Sequence, residues 1–133
     1  MEKRMLKEKL VLKASNGIYA VCRFDSSQPI PDWAKDSEFY SITRTFEELS
    51  IVCSQESISD DVKCEKDWRM LKVEGPLDFS LIGILSSIST VLAHSKISIF
   101  VISTFNTDYI LVKNKDFDNA ISALSYEGYE IIA

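Results

Sequence analysis

From Leu81 the apolar positions fall at Leu81, Ile84, Leu85, Ile88, Val91 and Leu92. Steps of three and four fill one face of an α-helix, so this stretch predicts a helix with a complete buried stripe. Asp78 or Ser80 stands where it can cap the first turn. The opposite face carries Ser86, Ser87, Ser89 and Thr90, with no charge between Asp78 and His94. Such a face suits packing on a second helix or subunit as well as it suits solvent.

The segments that follow are equally regular. Residues 97–104 (ISIFVIST) are almost wholly apolar and predict a central strand covered on both faces. Phe105-Asn106-Thr107-Asp108 turns the chain, and residues 109–113 (YILVK) return as a strand. Asp116 opens a second helix with Phe117, Ala120, Ile121 and Leu124 on its buried face. Gly128 marks its stop, and residues 129–132 (YEII) form a last strand. With a strand at 67–73 closed by Gly75-Pro76, residues 67–132 spell β-α-β-β-α-β, the ferredoxin-like order.

The first half reads as a worn version of the same order. Residues 6–13 alternate weakly, Asn16-Gly17 signals a turn, and residues 18–24 (IYAVCRF) form a strand. Pro29 and Pro31 leave room only for one helical turn at Pro31-Asp32-Trp33-Ala34. Residues 39–45 and 49–54 make a hairpin around Glu47-Glu48, and 56–64 are polar with at most a short helix. The expectation is an α+β fold of two tandem ferredoxin-like units with antiparallel sheets, 1–66 and 67–133, docked as one compact body. The helices of the first unit are eroded, and the strand at 6–13 is free to complete the other unit's sheet.

Composition narrows the function. The chain has 133 residues, 46% of them hydrophobic and 26% charged, which fits an ordinary globular protein. A net charge of -5 argues against nucleic-acid binding, which needs a basic face to displace phosphate counterions. No apolar run approaches the ~20 residues that span a bilayer, and the charged start MEKRMLKEKL has no signal core, so a cytoplasmic protein without membrane contact is expected. Cys22, Cys53 and Cys64 are an odd number without paired spacing, which speaks against a disulfide framework and against zinc. Cys22 and Cys53 read as small core residues.

Catalytic chemistry is hard to assemble from these residues. His94 is the single histidine, no Ser-His-Asp or Cys-His pair is evident, and no cysteine has a neighbouring base in sequence. The four glycines form no phosphate-cradling loop. The strand 97–104 lacks the basic residue and interleaved aromatics of an RNA-binding ferredoxin-like module. No enzyme, cofactor or metal is expected. Two places remain. The helix entry Asp78-Phe79-Ser80-Leu81-Ile82-Gly83-Ile84 offers backbone N–H groups at a positive dipole end, suited to a carboxylate, with Gly83 permitting close approach. The turn Thr104-Phe105-Asn106-Thr107-Asp108 supplies a carboxylate suited to an ammonium group. Together they suit an amino-acid zwitterion.

These residues carry a family resemblance. The helix entry with its PLxF and Gly83-Ile84, the segment KISIFVISTFNTDYILV and the helix before Gly128-Tyr129 resemble the ACT domain of the CASTOR type. YAVCRFDSSQPIPDW and FYSITRTFEELSIVC are similar to the N-terminal half of small bacterial proteins with two ACT units. The resemblance implies a non-catalytic regulatory protein that binds a small ligand, an amino acid, at an interface between ACT units, commonly as a homodimer. It implies ligand contacts from residues 78–83 and Asp108, with Ser50 and Ile51 as further candidates on a strand of another unit. The arginine-sensing members carry an acidic residue two places before the helix glycine, where this chain has Leu81. A smaller or apolar amino acid is therefore expected rather than arginine. The competing expectation is an interaction module that acts through dimerisation and has no ligand site.

Overall fold

The computed structural model describes residues 10–74 and 83–133. Eight strands, two α-helices and three 3-10 turns follow one another along them: β1 Val11–Ala14, β2 Tyr19–Phe24, β3 Ser41–Arg44, β4 Leu49–Ser54, β5 Cys64–Glu74, α1 Ile84–His94, β6 Ile99–Ser103, β7 Asp108–Lys113, α2 Phe117–Tyr126 and β8 Glu130–Ile132. The chain divides into two compact units. One is Gly17–Trp68; the other combines Met1–Asn16 with Arg69–Ala133.

In the second of these the sheet runs β8-β1-β5-β7-β6. The chain order β5-α1-β6-β7-α2-β8 is the ferredoxin-like βαββαβ, with β1 inserted as an extra strand. β1 pairs antiparallel with β5 (Val11↔Glu74 to Ala14↔Leu71) and parallel with β8 (Val11↔Glu130 to Lys13↔Ile132). The surplus N-terminal strand thus completes this sheet at Val11–Ala14; residues 1–9 lie outside the described residues. The core joins Leu12, Leu71, Val73, Ile110 and Val112 from the strands to Ile88 and Leu92 of α1 and Phe117, Ala120 and Leu124 of α2. Those helix residues recur at three and four, so one stripe of each helix meets the sheet.

Two expectations change here. Residues 97–104 do not form a central, doubly covered strand. Every residue of β6 keeps some exposure, and among the described residues β6 pairs only with β7. The strand buried on both faces is β7, where Ile110, Leu111 and Val112 are each 0% exposed. The apolar character of β6 fills the sheet margin rather than its centre. The helix expected from Leu81 starts at Ile84, because Gly83 is its N-cap with φ +84° and no side-chain capping bond. The region φ > 0 cannot continue a right-handed helix. The expected caps Asp78 and Ser80 lie outside the described residues.

The Gly17–Trp68 unit is ordered β3-β4-β2-β5. This is the ferredoxin-like order again: last strand, first, third, second. In the place of helices stand 3-10 turns, Asp32–Lys35 and Gln55–Ser57. The prolines explain the first, since Pro31 occupies its N-cap and fixes φ at -62°. Trp33 and Ala34 of the first segment and Ile58, just after the second, pack with Cys22, Leu49, Ile51 and Cys53. β5 contributes to both units: residues 64–68 pair with β2, and residues 71–74 pair with β1.

Candidate functional site

The two hairpins, one per unit, close with the same turn. In the first, the Thr45 amide donates to Glu48 O at 2.8 Å, and the Glu48 amide donates to Thr45 Oγ1 at 3.2 Å. In the second, the Thr104 amide donates to Thr107 O at 2.8 Å, and the Thr107 amide donates to Thr104 Oγ1 at 3.3 Å. The sequences Arg44-Thr45-Phe46-Glu47-Glu48-Leu49 and Ser103-Thr104-Phe105-Asn106-Thr107-Asp108 align position by position. The closing pairs are Arg44↔Leu49 and Ser103↔Asp108. Both turns expose their phenylalanine, Phe46 at 102% and Phe105 at 84%.

This internal match isolates one residue. The turn is built by its threonine, and Leu49 occupies the closing position in the first hairpin without altering those bonds. Asp108 is therefore not required to make the turn. Its carboxylate is half-buried and accepts a hydrogen bond from Ser103 Oγ at 2.5 Å. An ionised carboxylate has about four acceptor positions, so capacity for a donor from a ligand remains.

Thr107 fixes where this turn sits. It is buried, and its Oγ1 donates to Val73 O at 2.5 Å, near the end of β5. β5 ends at Glu74, Gly83 stands at the entry of α1, and α1 leads back to the start of β6. Connectivity thus assigns the end of β5, the helix entry and the β6-β7 turn to one end of this unit's sheet. At the entry, Ser87 N donates to Gly83 O at 2.8 Å, closing the first helical turn. The amides of Ile84, Leu85 and Ser86 precede that bond and are the ones the helix dipole makes available. A Cβ added to Gly83 would meet nothing within 4 Å, so its backbone faces open space.

Of the residues expected at the site, Asp78, Phe79, Ser80, Leu81 and Ile82 lie outside the described residues. Gly83, Ile84, Thr104, Phe105, Asn106 and Asp108 belong to one unit. Gly83, Thr104, Phe105 and Asn106 are exposed, and Ile84 packs against the core. Ser50 and Ile51 belong to the other unit, on β4, which is paired by β2 and β3 on both sides. Ile51 is 0% exposed and commits its side chain to the core. In that unit the corner matching the Asp108 end is tied off. Arg44 donates to the carbonyls of Ser26 and Gln28, and Arg23 donates to Glu47 O at 3.0 Å.

Sequence reasoning missed the matched turns, although the shared Thr-Phe pair was the available signal. It also missed that the three cysteines meet. Cys22 lies beside Cys53 and Cys64 in the β2-β4 and β2-β5 ladders, and the neighbouring Cys53 thiol, with burial, pushes the Cys22 thiol far up from its ordinary range.

The βαββαβ order with both helices on one sheet defines the ferredoxin-like class of small α+β domains, the class of ACT regulatory modules. Residues 63–126 match the ACT domain family, and residues 17–61 match a second family described as an N-terminal domain. The chain is similar to protein Atu0741 from Agobacterium tumefaciens, with 39% identity, 92% of each chain covered and a TM-score of 0.88. A Vibrio cholerae protein of unknown function, VC0802, described as a possible transport protein, aligns at 20% identity over 94% of each chain, TM-score 0.77. The regulatory subunit of aspartate kinase from Thermus thermophilus shares the fold at 9% identity, TM-score 0.61, over 87% of this chain and 95% of its own. The chain belongs to one family with the Agobacterium protein. Among the described residues no helix is long and apolar enough to cross a membrane.

Proposed function

We propose that this protein is a regulatory module of two tandem ACT units, of the CASTOR type, that binds an amino acid through its ACT domain. It works in the cytoplasm as a homodimer, with ligand held at an interface between ACT units. The observation that carries the reading is Asp108. The matching hairpin makes the same turn with a leucine there, so the aspartate answers to something other than the turn. A carboxylate at the same end of the sheet as the first-turn amides of α1 suits the two charges of a zwitterion. Leu81 in place of an acidic residue favours a small or apolar side chain over a guanidinium. The matching strand orders and matching Thr-Phe turns support the reading of two related units.

A thermal-shift screen of the twenty amino acids tests this. A ligand at 100 times its Kd stabilises by ~2.7 kcal/mol, which for a chain of this size is roughly 8–13 °C. If no amino acid moves the midpoint, the module acts through dimerisation without a ligand. That outcome is the second reading, supported by the uncharged surface that Ser86 and Thr90 expose on α1. A preference for arginine would overturn the reading of Leu81.

A further inference from the structure

The Gly17–Trp68 unit brings together the three cysteines that are far apart in sequence. Cys22 and Cys64 are direct partners across the β2-β5 ladder. The type of pair follows from its neighbour. Arg23 N donates to Lys63 O at 3.0 Å, so Arg23 and Lys63 form a hydrogen-bonded pair. Antiparallel pairs alternate, which makes Cys22 and Cys64 a non-hydrogen-bonded pair, with Cα atoms about 4.5 Å apart and side chains on the same face. Disulfides span Cα separations of about 4.4–6.8 Å, so this pair lies at the close end of the range.

The third thiol is placed differently. Cys53 pairs with Ala20 and stands diagonal to Cys22, whose own partner on β4 is Ile51. Diagonal neighbours lie about 7–8 Å apart, at or beyond the limit for a bridge without backbone movement. Among the described residues, no group of three His, Cys, Asp or Glu side chains is arranged to hold a metal ion.

We propose that Cys22 and Cys64 form a reversible redox pair, oxidised by hydroperoxides to a cross-strand disulfide between β2 and β5. Access sets the order of events. Cys64 is half-buried, whereas Cys22 is 1% exposed and Cys53 is 0% exposed. The Cys64 thiolate attacks one peroxide oxygen, giving the sulfenic acid and hydroxide, which takes up the thiolate's original proton as water. The Cys22 sulfur then displaces the sulfenic hydroxyl, which leaves as a second water with the Cys22 proton. Two thiols lose two electrons and hydrogen peroxide becomes two waters. Cys22 is buried and held as a protonated thiol beside Cys53, and the sulfenic acid formed on its ladder partner Cys64 is placed against it. A dithiol reductant reverses the bond by thiol–disulfide exchange.

The test uses the full chain, reduced, desalted and treated with hydrogen peroxide in native buffer. The expected result is a fall from three free thiols to one, a monomer lighter by two hydrogen atoms, and full recovery with dithiothreitol. Trypsin separates the three cysteines, since Cys22 precedes Arg23 and Cys64 follows Lys63. The linked pair should join the peptide ending at Arg23 to Cys64-Glu65-Lys66. Cys53→Ser should keep the linkage, and Cys64→Ser should slow thiol loss at least tenfold. A Cys22–Cys53 link, an intermolecular dimer, stable sulfinic acid at Cys64 or three surviving thiols would each overturn the proposal. The wild-type measurements stand even if a variant fails to fold.

Discussion

The buried hydroxyl of Thr107 donates to the carbonyl oxygen of Val73 at 2.5 Å and so pins the β6-β7 turn to the end of β5. Thr107→Val keeps the shape and removes the donor, leaving a carbonyl in a dry place with one partner fewer. The expected cost is about 1–2 kcal/mol, read as a lower urea midpoint with unchanged slope. A midpoint unchanged within error would mean that the turn is held by its own backbone alone.

Gly83 has φ +84° at the entry of α1, and nothing stands within 4 Å of a Cβ placed there. Gly83→Ala therefore meets no neighbour and reports backbone strain by itself. It should destabilise by about 1–2 kcal/mol, and Gly83→Asn by less, because asparagine tolerates the left-handed region. Equal losses for both variants would point to something other than the dihedral angle.

Much of this architecture was legible because the local pattern and the final packing agree. Ile84, Ile88 and Leu92 are spaced for one helix face and pack against one core. β4 falls at Leu49–Ser54, the bounds read from the sequence, between a charged turn and a polar segment. The apolar run of β6 misled because periodicity reports hydrophobicity and not a strand's place in the sheet. That place is set by pairing order, which only long-range contacts fix. The helix start was misread for a different reason: Leu81 fits the stripe, but Gly83 adopts a dihedral that no hydrophobic count can register. The meeting of Cys22, Cys53 and Cys64 was equally hidden. It depends on the registers of two ladders joining residues 31 and 42 positions from Cys22, differences read from their numbers in the chain.

The matched turns give a paired prediction. Thr45 Oγ1 accepts from Glu48 N, and Thr104 Oγ1 accepts from Thr107 N, in the same geometry. Thr45→Ala and Thr104→Ala should each cost about 0.5–1.5 kcal/mol and agree within about 0.5. Phe46→Ser should change stability by less than about 0.5, because the ring is 102% exposed. Chemical denaturation of the three variants checks the set. A large loss on Phe46→Ser would show that the ring is covered in solution, by a second copy or another partner.

Asp108 carries the sharpest test, because its roles in folding and in binding separate. Asp108→Asn keeps an oxygen that can accept the Ser103 hydroxyl, so the turn should persist and stability should fall by less than about 1 kcal/mol. What it loses is the negative charge. A hydrogen bond to a charged group is worth about 1.5–3 kcal/mol, and each 1.4 kcal/mol is tenfold in affinity. An amino acid that stabilises the wild-type chain should therefore bind Asp108→Asn at least tenfold more weakly, measured by calorimetry. The same ligand with its amine acetylated should lose affinity for the wild type and show little further loss on the variant. That non-additivity ties the carboxylate to the amine. If the two losses simply add, Asp108 and the ammonium group do not meet, and the ligand lies elsewhere on the domain.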